Sequence, residues 1–211
     1  VSFRWLPKPK PGQRVLDVGC GNGGFLLKAR EVGWQVMGVD PDPEAVATAR
    51  QKGLEVRLGS IEVFDGESEL FDAITLSHVI EHVHDPKFVL ADAYRLLKSG
   101  GTLYLDTPNI DSRGSRIFEQ HWRGMEAPRH LVLFNVSGLH WLLEQIGFTV
   151  IPLQRHRTVA GMFLSSHRLA QGLSCYGTQP KSLPLSLAWR ARLPFIPTVQ
   201  LEFITLLARK K

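Results

Sequence analysis

The first half of the chain alternates between two kinds of segment, and that alternation most constrains what it can fold into. "RVLDVG" (14–19) is a short run of branched apolar residues, "GCGNGG" (19–24) interrupts it with glycine, and "FLLKAREVG" (25–33) reads as a helix. Gly33 is placed to end that helix in the left-handed capping conformation. The cycle repeats. "QVMGVD" (35–40) reads as a strand, Asp42-Pro43 as N-cap and first helical residue, and the helix runs to Lys52 with Gly53 behind it. "LEVRLG" (54–59) and "FDAITLS" (71–77) read as a third and a fourth strand, the latter apolar enough to be buried on both faces. Asp85-Pro86 starts a helix with Phe88, Val89, Ala93, Leu96 and Leu97 on one stripe and Gly100 closing it, before a fifth strand, "GTLYLDT" (101–107). Strands and helices alternating at this spacing imply an α/β fold, a parallel sheet with right-handed crossovers and helices on both faces.

A chain of 211 residues suits one well-buried core, so residues 1–211 are expected to form a single domain. No apolar run approaches a membrane span and no signal-peptide layout opens the sequence. With only Cys20 and Cys175 there is no disulfide framework, and a reducing, cytoplasmic setting fits. The net charge of +5 is uneven: residues 1–110 carry 12 basic against 15 acidic side chains, and residues 111–211 carry 13 against 5. A basic half can meet nucleic acid, an anionic surface or an acidic substrate, or can be a solvated face. Its arginines are scattered rather than massed, and no RNA-binding module is appended, so no nucleic-acid partner is expected.

"HVIEHVHDP" (78–86) carries the H-x-x-E-H spacing of one zinc-peptidase class. That chemistry needs His78, Glu81 and His82 on a continuous helix, yet the segment follows a strand and meets Pro86 four residues after His82. It reads instead as a loop at the carboxyl end of strand four, where open α/β sheets bind their ligands.

The glycine turn is the cofactor signal. Gly19, Gly21 and Gly24 satisfy G-x-G-x-x-G, between a strand and a helix N-terminus that favours an anionic group. A nicotinamide dehydrogenase would use the same glycines, with Asp40 at the end of strand two for ribose hydroxyls. Two details weigh against it: Asp17 lies inside the first strand, where a dinucleotide fold keeps an apolar residue, and "LLKSGG" leads into strand five. With these, the sequence resembles class I S-adenosylmethionine-dependent methyltransferases. "VLDVGCGNGGFL", "VMGVDPDPEAVATAR", "FDAITLSHVIEHVHDP" and "RLLKSGGTLYLDTPN" are similar to that family's motifs in order, covering about residues 13–110. "HWRGMEAPRHLVLFNVSGLHWLLEQIGF" continues the likeness towards bacterial small-molecule enzymes related to the ubiquinone-biosynthesis O-methyltransferases.

The resemblance implies a Rossmann-like, doubly wound, seven-stranded sheet of order 3-2-1-4-5-7-6 with strand seven antiparallel, "FTVIPLQ" and "EFITLLA" serving as strands six and seven. It implies S-adenosylmethionine as cofactor and S-adenosylhomocysteine as product. Gly19, Cys20, Gly21 and Gly23 would let the backbone approach the cofactor, Asp17 would meet the methionine ammonium, and Asp40, followed by Pro41, would take both ribose hydroxyls. Ser60 stands where the family offers an acid to the adenine amine, with Ile61 placed to pack on the ring, and Ser77 and His78 would flank the sulfonium.

Methyl transfer from a sulfonium is an in-line displacement, so most of its rate comes from holding the nucleophile in line and excluding water. A phenol-like acceptor gains from a nearby base, and histidine suits that role. His82 and His130 are the candidates. Some ubiquinone-type relatives place a divalent metal in the loop after strand four. The matching positions are His78, Glu81 and His82, but a histidine at 78 replaces an acid, which suits a hard cation poorly, so no metal is expected. Residues 109–134 are too long for a plain connection and read as a substrate-side lid. Ser137 is expected to cap a following helix, and residues 157–200, with "PLSLAWRARLPFIP", to cover the pocket, join a dimer or touch a membrane. The acceptor is expected to be a small molecule, with anionic and lipid-linked compounds both open. Oxygen is the leading nucleophile and the nitrogen of an amino sugar the runner-up. The same glycine turn would also serve a non-catalytic cofactor-binding module or a nicotinamide oxidoreductase.

Overall fold

A computed structural model describes residues 4, 6–153, 160–178, 182–191 and 200–211. The expected cycle is present: β1 (Arg14–Val18), α1 (Gly24–Glu31), β2 (Gln35–Asp40), α2 (Pro43–Gln51), β3 (Val56–Leu58), β4 (Phe71–Ser77), α3 (Pro86–Leu96) and β5 (Leu97–Pro108). Then come α4 (Arg113–Phe118), α5 (Val136–Ile146), β6 (Phe148–Pro152), α6 (Ala160–Ala170), α7 (Leu185–Ala191) and β7 (Phe203–Lys210). One seven-stranded sheet runs β3-β2-β1-β4-β5-β7-β6, with β7 antiparallel to both neighbours.

The strands are apolar on both faces, as parallel strands between helical layers must be. Leu16, Val18, Met37, Val39, Ile74 and Leu76 look into the main core with Val89, Leu90 and Ala93 of α3 and Leu139 and Leu143 of α5. The alternate residues Val15 and Ala73 face the other way, onto Ala29 of α1 and Trp34. Asp42 and Asp85 cap α2 and α3 by accepting from Glu44 N and Phe88 N, each with proline in the first helical position.

Several boundaries differ from the sequence reading; strand six ends at Pro152 and strand seven runs Phe203–Lys210. Asn135, not Ser137, caps α5: its Oδ1 accepts from Gly138 N at 2.8 Å, while Ser137 sits inside the first turn. Helix α3 ends at Leu96 rather than at Gly100, because Leu97 already pairs with Phe71 in the sheet. The third strand shrinks to Val56–Leu58. Gln154, the end of the expected sixth strand, and residues 157–159, 179–181 and 192–199 of the expected covering segment lie outside the described residues.

Residues 109–134 form a closed excursion. Asn109 bridges to Phe134, and Ile110 N donates to Phe134 O at 2.9 Å, so the two ends of the segment meet. Between them Phe118 and Trp122 join Phe163 of α6 and Ala191 of α7 in a small separate core. Glu202, one residue before β7, ties this layer to the sheet: its carboxylate accepts from Gly114 N (2.6 Å), Trp122 Nε1 (2.9 Å) and Ser112 Oγ (3.3 Å).

Candidate functional site

The carboxyl ends of β1, β2, β4 and β5 bring the expected residues together. After β1 the chain turns through Gly19 and Gly21, both at positive φ, and Gly23, which starts α1 from the left-handed region. Gly21 N donates to Asp40 Oδ2 at 2.7 Å and Asp42 N to Asp40 Oδ1 at 2.9 Å. The carboxylate at the tip of β2 thereby locks the turn. Each of its oxygens keeps a further lone pair for an incoming hydroxyl. A Cβ built on Gly21 would meet nothing within 4 Å, so the turn is open over that residue.

The other members of the turn face protein. A Cβ on Gly23 would strike Leu54 Cδ1 at 2.2 Å, one on Gly19 would strike Val79 Cγ2 at 2.8 Å, and Cys20 Sγ packs on Gly38. Side-chain contact with a ligand is therefore closed at Cys20 and Gly23, and only their backbone remains on offer. Burial first, then the negative charges of Asp17 and Asp40, pushes the Cys20 thiol up to about 12, so it is an inert packing group.

Asp17 is fully buried. Its Oδ1 accepts from Thr75 Oγ1 at 2.6 Å and from the Arg4 guanidinium, which lies over the Phe25 ring. Its Oδ2 has no partner among the described residues. Burial pushes the Asp17 carboxyl up, outweighing the lowering by Arg4 and Thr75. An orphaned buried carboxylate oxygen beside the turn calls for a donor. The sequence gives no sign of Arg4 or Thr75 as partners, since nothing in the local pattern joins residue 4 to strand four.

Pro41 is exposed beside Asp40, and Ser60 leads into the short turn Ile61–Phe64 that follows β3. Ile61 is a correction: at 0 % exposure it belongs to the main core and presents no surface to an adenine ring. Ser77 ends β4, and His78 follows with φ 58, its N–H donating to Asp106 O at 2.8 Å. The clash that keeps residue 19 a glycine is with Val79, so the glycine turn and the "HVIEHVHDP" loop abut.

On the far side of that loop a cavity of about 400 Å³ opens, lined among others by His78, His82, Arg123, His130, Tyr176 and Phe203. His82 and His130 meet there edge to face, ring centroids 4.7 Å apart. Each directs Nδ1 at a backbone carbonyl, Arg129 O at 2.9 Å and Gly124 O at 2.7 Å. A carbonyl only accepts, so Nδ1 carries the proton in both rings. Arg123 and Glu126 form an ion pair on the cavity wall, and Tyr176 OH is held at 2.9 Å from Arg123 Nη2.

A profile of the methyltransferase-domain family matches residues 3–153. The chain belongs to that family. Its sheet order is that of the class I, S-adenosylmethionine-dependent members, and S-adenosylmethionine is the cofactor of that class. Over 107 residues it is 45 % identical to a ubiquinone biosynthesis O-methyltransferase of Xanthomonas campestris pv. campestris, covering 47 % of this chain and 44 % of that one. The rat mitochondrial ubiquinone biosynthesis O-methyltransferase is 34 % identical over 112 residues, covering 48 % and 32 %. The chain thus spans less than half the length of these curated relatives. An S-adenosylmethionine-dependent methyltransferase from Archaeoglobus fulgidus superimposes with a TM-score of 0.65 at 22 % identity, covering 98 % of this chain and 90 % of that one.

The cofactor fits the residues present: an orphaned Asp17 oxygen for an ammonium, open space over Gly21, and spare lone pairs on Asp40. A hard divalent cation does not. Glu81, His82 and His130 bring one potential ligand atom each within 4.8 Å of one another. Two of the three are nitrogens, and Glu81 already accepts from His78 Nδ1 at 3.1 Å and Thr107 Oγ1 at 2.9 Å.

Proposed function

We propose that this protein transfers a methyl group from S-adenosylmethionine to an oxygen nucleophile of a small molecule seated in the cavity beside His78. The observation that carries the reading is the buried, half-partnered Asp17 next to a glycine turn that Asp40 holds open. Asp17 Oδ2 would take the methionine ammonium, and Asp40 the ribose hydroxyls. The backbone of Gly19, Cys20, Gly21 and Gly23 would line the approach, with Pro41 and Ser60 at its rim and Ser77 and His78 at the sulfonium end. Bound there, the cofactor supplies an electrophilic methyl group. The protein supplies alignment of the acceptor from the cavity side and exclusion of water by the 109–134 excursion. Oxygen as the nucleophile is supported by the O-methyltransferases that match under half of the chain. Of the two histidines expected as bases, His82 keeps Nε2 available, while His130 Nε2 faces Glu126 Oε2 at 3.6 Å. Two free cysteines suit a reducing, cytoplasmic setting.

Calorimetric titration with S-adenosylhomocysteine, run beside NAD, tests the cofactor. Binding of the first alone is expected, and Asp40→Ala should weaken it by about 1 to 3 kcal/mol through lost hydrogen bonds to the ribose. Binding of NAD instead would overturn the reading, and unchanged affinity in the variant would remove Asp40 from the site.

A further inference from the structure

Three histidines line the cavity, and they differ in what stands behind the ring. His82 and His130 turn Nδ1 to uncharged backbone carbonyls, and the carboxylate near His130, Glu126 Oε2 at 3.6 Å, stands at Nε2 rather than behind the ring. His78 turns Nδ1 to Glu81 Oε1 at 3.1 Å. Glu81 is completely buried, and its other oxygen accepts from Thr107 Oγ1 at 2.9 Å. A buried carboxylate with its second oxygen already engaged fixes the proton of a neutral His78 on Nδ1, and leaves Nε2 as the acceptor.

The backbone singles out the same residue. His78 sits at φ 58, a region that side-chain-bearing residues enter at a cost, and asparagine or glycine would enter more cheaply. The ring is held on three sides, by Glu81, by Asp106 Oδ2 at 3.7 Å from Nε2, and by the edge of Phe203 with centroids 5.3 Å apart. The charged and titratable groups around it are Glu81, Asp106 of β5, His82, and from the 109–134 excursion Arg123, Glu126 and His130. The side chain is nevertheless 40 % exposed, towards the cavity.

We infer that His78 is the proton acceptor of the methyl transfer and Glu81 its positioning residue, an inference that rests on the function proposed above. As the acceptor oxygen forms its bond to the methyl carbon, His78 Nε2 takes the hydroxyl proton. The carbon–sulfur bond breaks with its electron pair going to sulfur, so the sulfonium becomes a neutral thioether. The positive charge passes to the imidazole, where the Glu81 carboxylate balances it, and the proton leaves through the exposed ring edge to solvent.

Long-range proton–nitrogen NMR of the histidine rings tests this, with His78 assigned by the signal lost in His78→Asn, a residue that tolerates the same backbone region. The expected result is a ring whose neutral form carries its proton on Nδ1 in the parent protein, and is no longer confined to that tautomer in Glu81→Gln, whose amide can donate as well as accept. A ring protonated on Nε2, or a tautomer indifferent to Glu81→Gln, would overturn the inference. The ring is read whether or not cofactor or acceptor binds, so failure of S-adenosylhomocysteine to bind sinks the methyl-transfer reading separately. With S-adenosylmethionine and a panel of simple phenols including 4-nitrocatechol, His78→Asn should lower kcat by about 10²- to 10⁴-fold, with KM changed little. Wild-type kcat in His78→Asn alongside its loss in His82→Asn would instead assign the proton to His82.

Discussion

Glu81 is buried as completely as any leucine of the core, yet its carboxyl is held below its ordinary value. Burial alone would raise it. The hydrogen bond from His78, helped by a backbone bond and by Thr107, outweighs that penalty. Glu202 shows the opposite balance: burial raises it, and the bonds from Trp122, Gly114 and Ser112 only partly offset the rise. Because the folded protein binds the Glu81 proton less readily than the unfolded chain, this group stabilises the fold above the ordinary value of 4.5. That contribution is lost as the pH falls through the lower folded-state value. Urea denaturation across that range should show Glu81→Gln destabilised by about 1 to 3 kcal/mol at neutral pH, with a flatter decline in acid than the parent protein. Parallel acid profiles would show that Glu81 is not held ionised by its neighbours. In the sequence Glu81 stands out only through metal-like spacing, because Thr107, the partner that explains it, lies on another strand.

At the scale of elements, what the sequence discloses depends on how local the determining contact is. Asp42 and Asp85 announce their helices because the cap and the proline act within one turn. The start of α5 reads two residues late in the sequence because Ser137 precedes the apolar stripe as a cap should, whereas Asn135 follows an extended phenylalanine. The side chain of Asn135 reaches Gly138 N, and Ser137 Oγ then donates to Asn135 Oδ1 at 3.2 Å. Asn135→Ala should therefore cost about 1 kcal/mol by chemical denaturation, against less than about 0.5 for Ser137→Ala. The reverse order would restore Ser137 as the cap. The end of α3 is hidden for a different reason: Leu97 continues the helical stripe, and only its pairing with Phe71 draws it into β5. The Glu202 contacts that tie the 109–134 excursion to the sheet join residues 80 to 90 apart, beyond the reach of any periodicity.

At the scale of the molecule, the chain completes its sheet out of order. β7 comes last in sequence, yet it lies between β5 and β6, with seven paired positions on one side and five on the other. Its Ile204, Leu206 and Ala208 enter the main core beside Leu103 and Leu105. The resemblance of the motifs to a known family implies this order, and no local pattern in "EFITLLA" does, because an apolar strand can pair with any open edge. The residues proposed to hold the cofactor, on β1 and β2, lie across β4 and β5 from β7 in the same sheet, so they share its cooperativity without touching β7. Deleting residues 203–211 leaves β5 and β6 facing an empty slot lined with apolar side chains, with unpaired backbone groups on both edges. The truncated chain should lose its cooperative thermal transition in circular dichroism and its affinity for S-adenosylhomocysteine, although the deletion removes none of the residues proposed to hold the cofactor. A sharp transition with undiminished affinity would mean that the β3-β2-β1-β4 half folds and binds by itself, and that the last strand serves only the acceptor side.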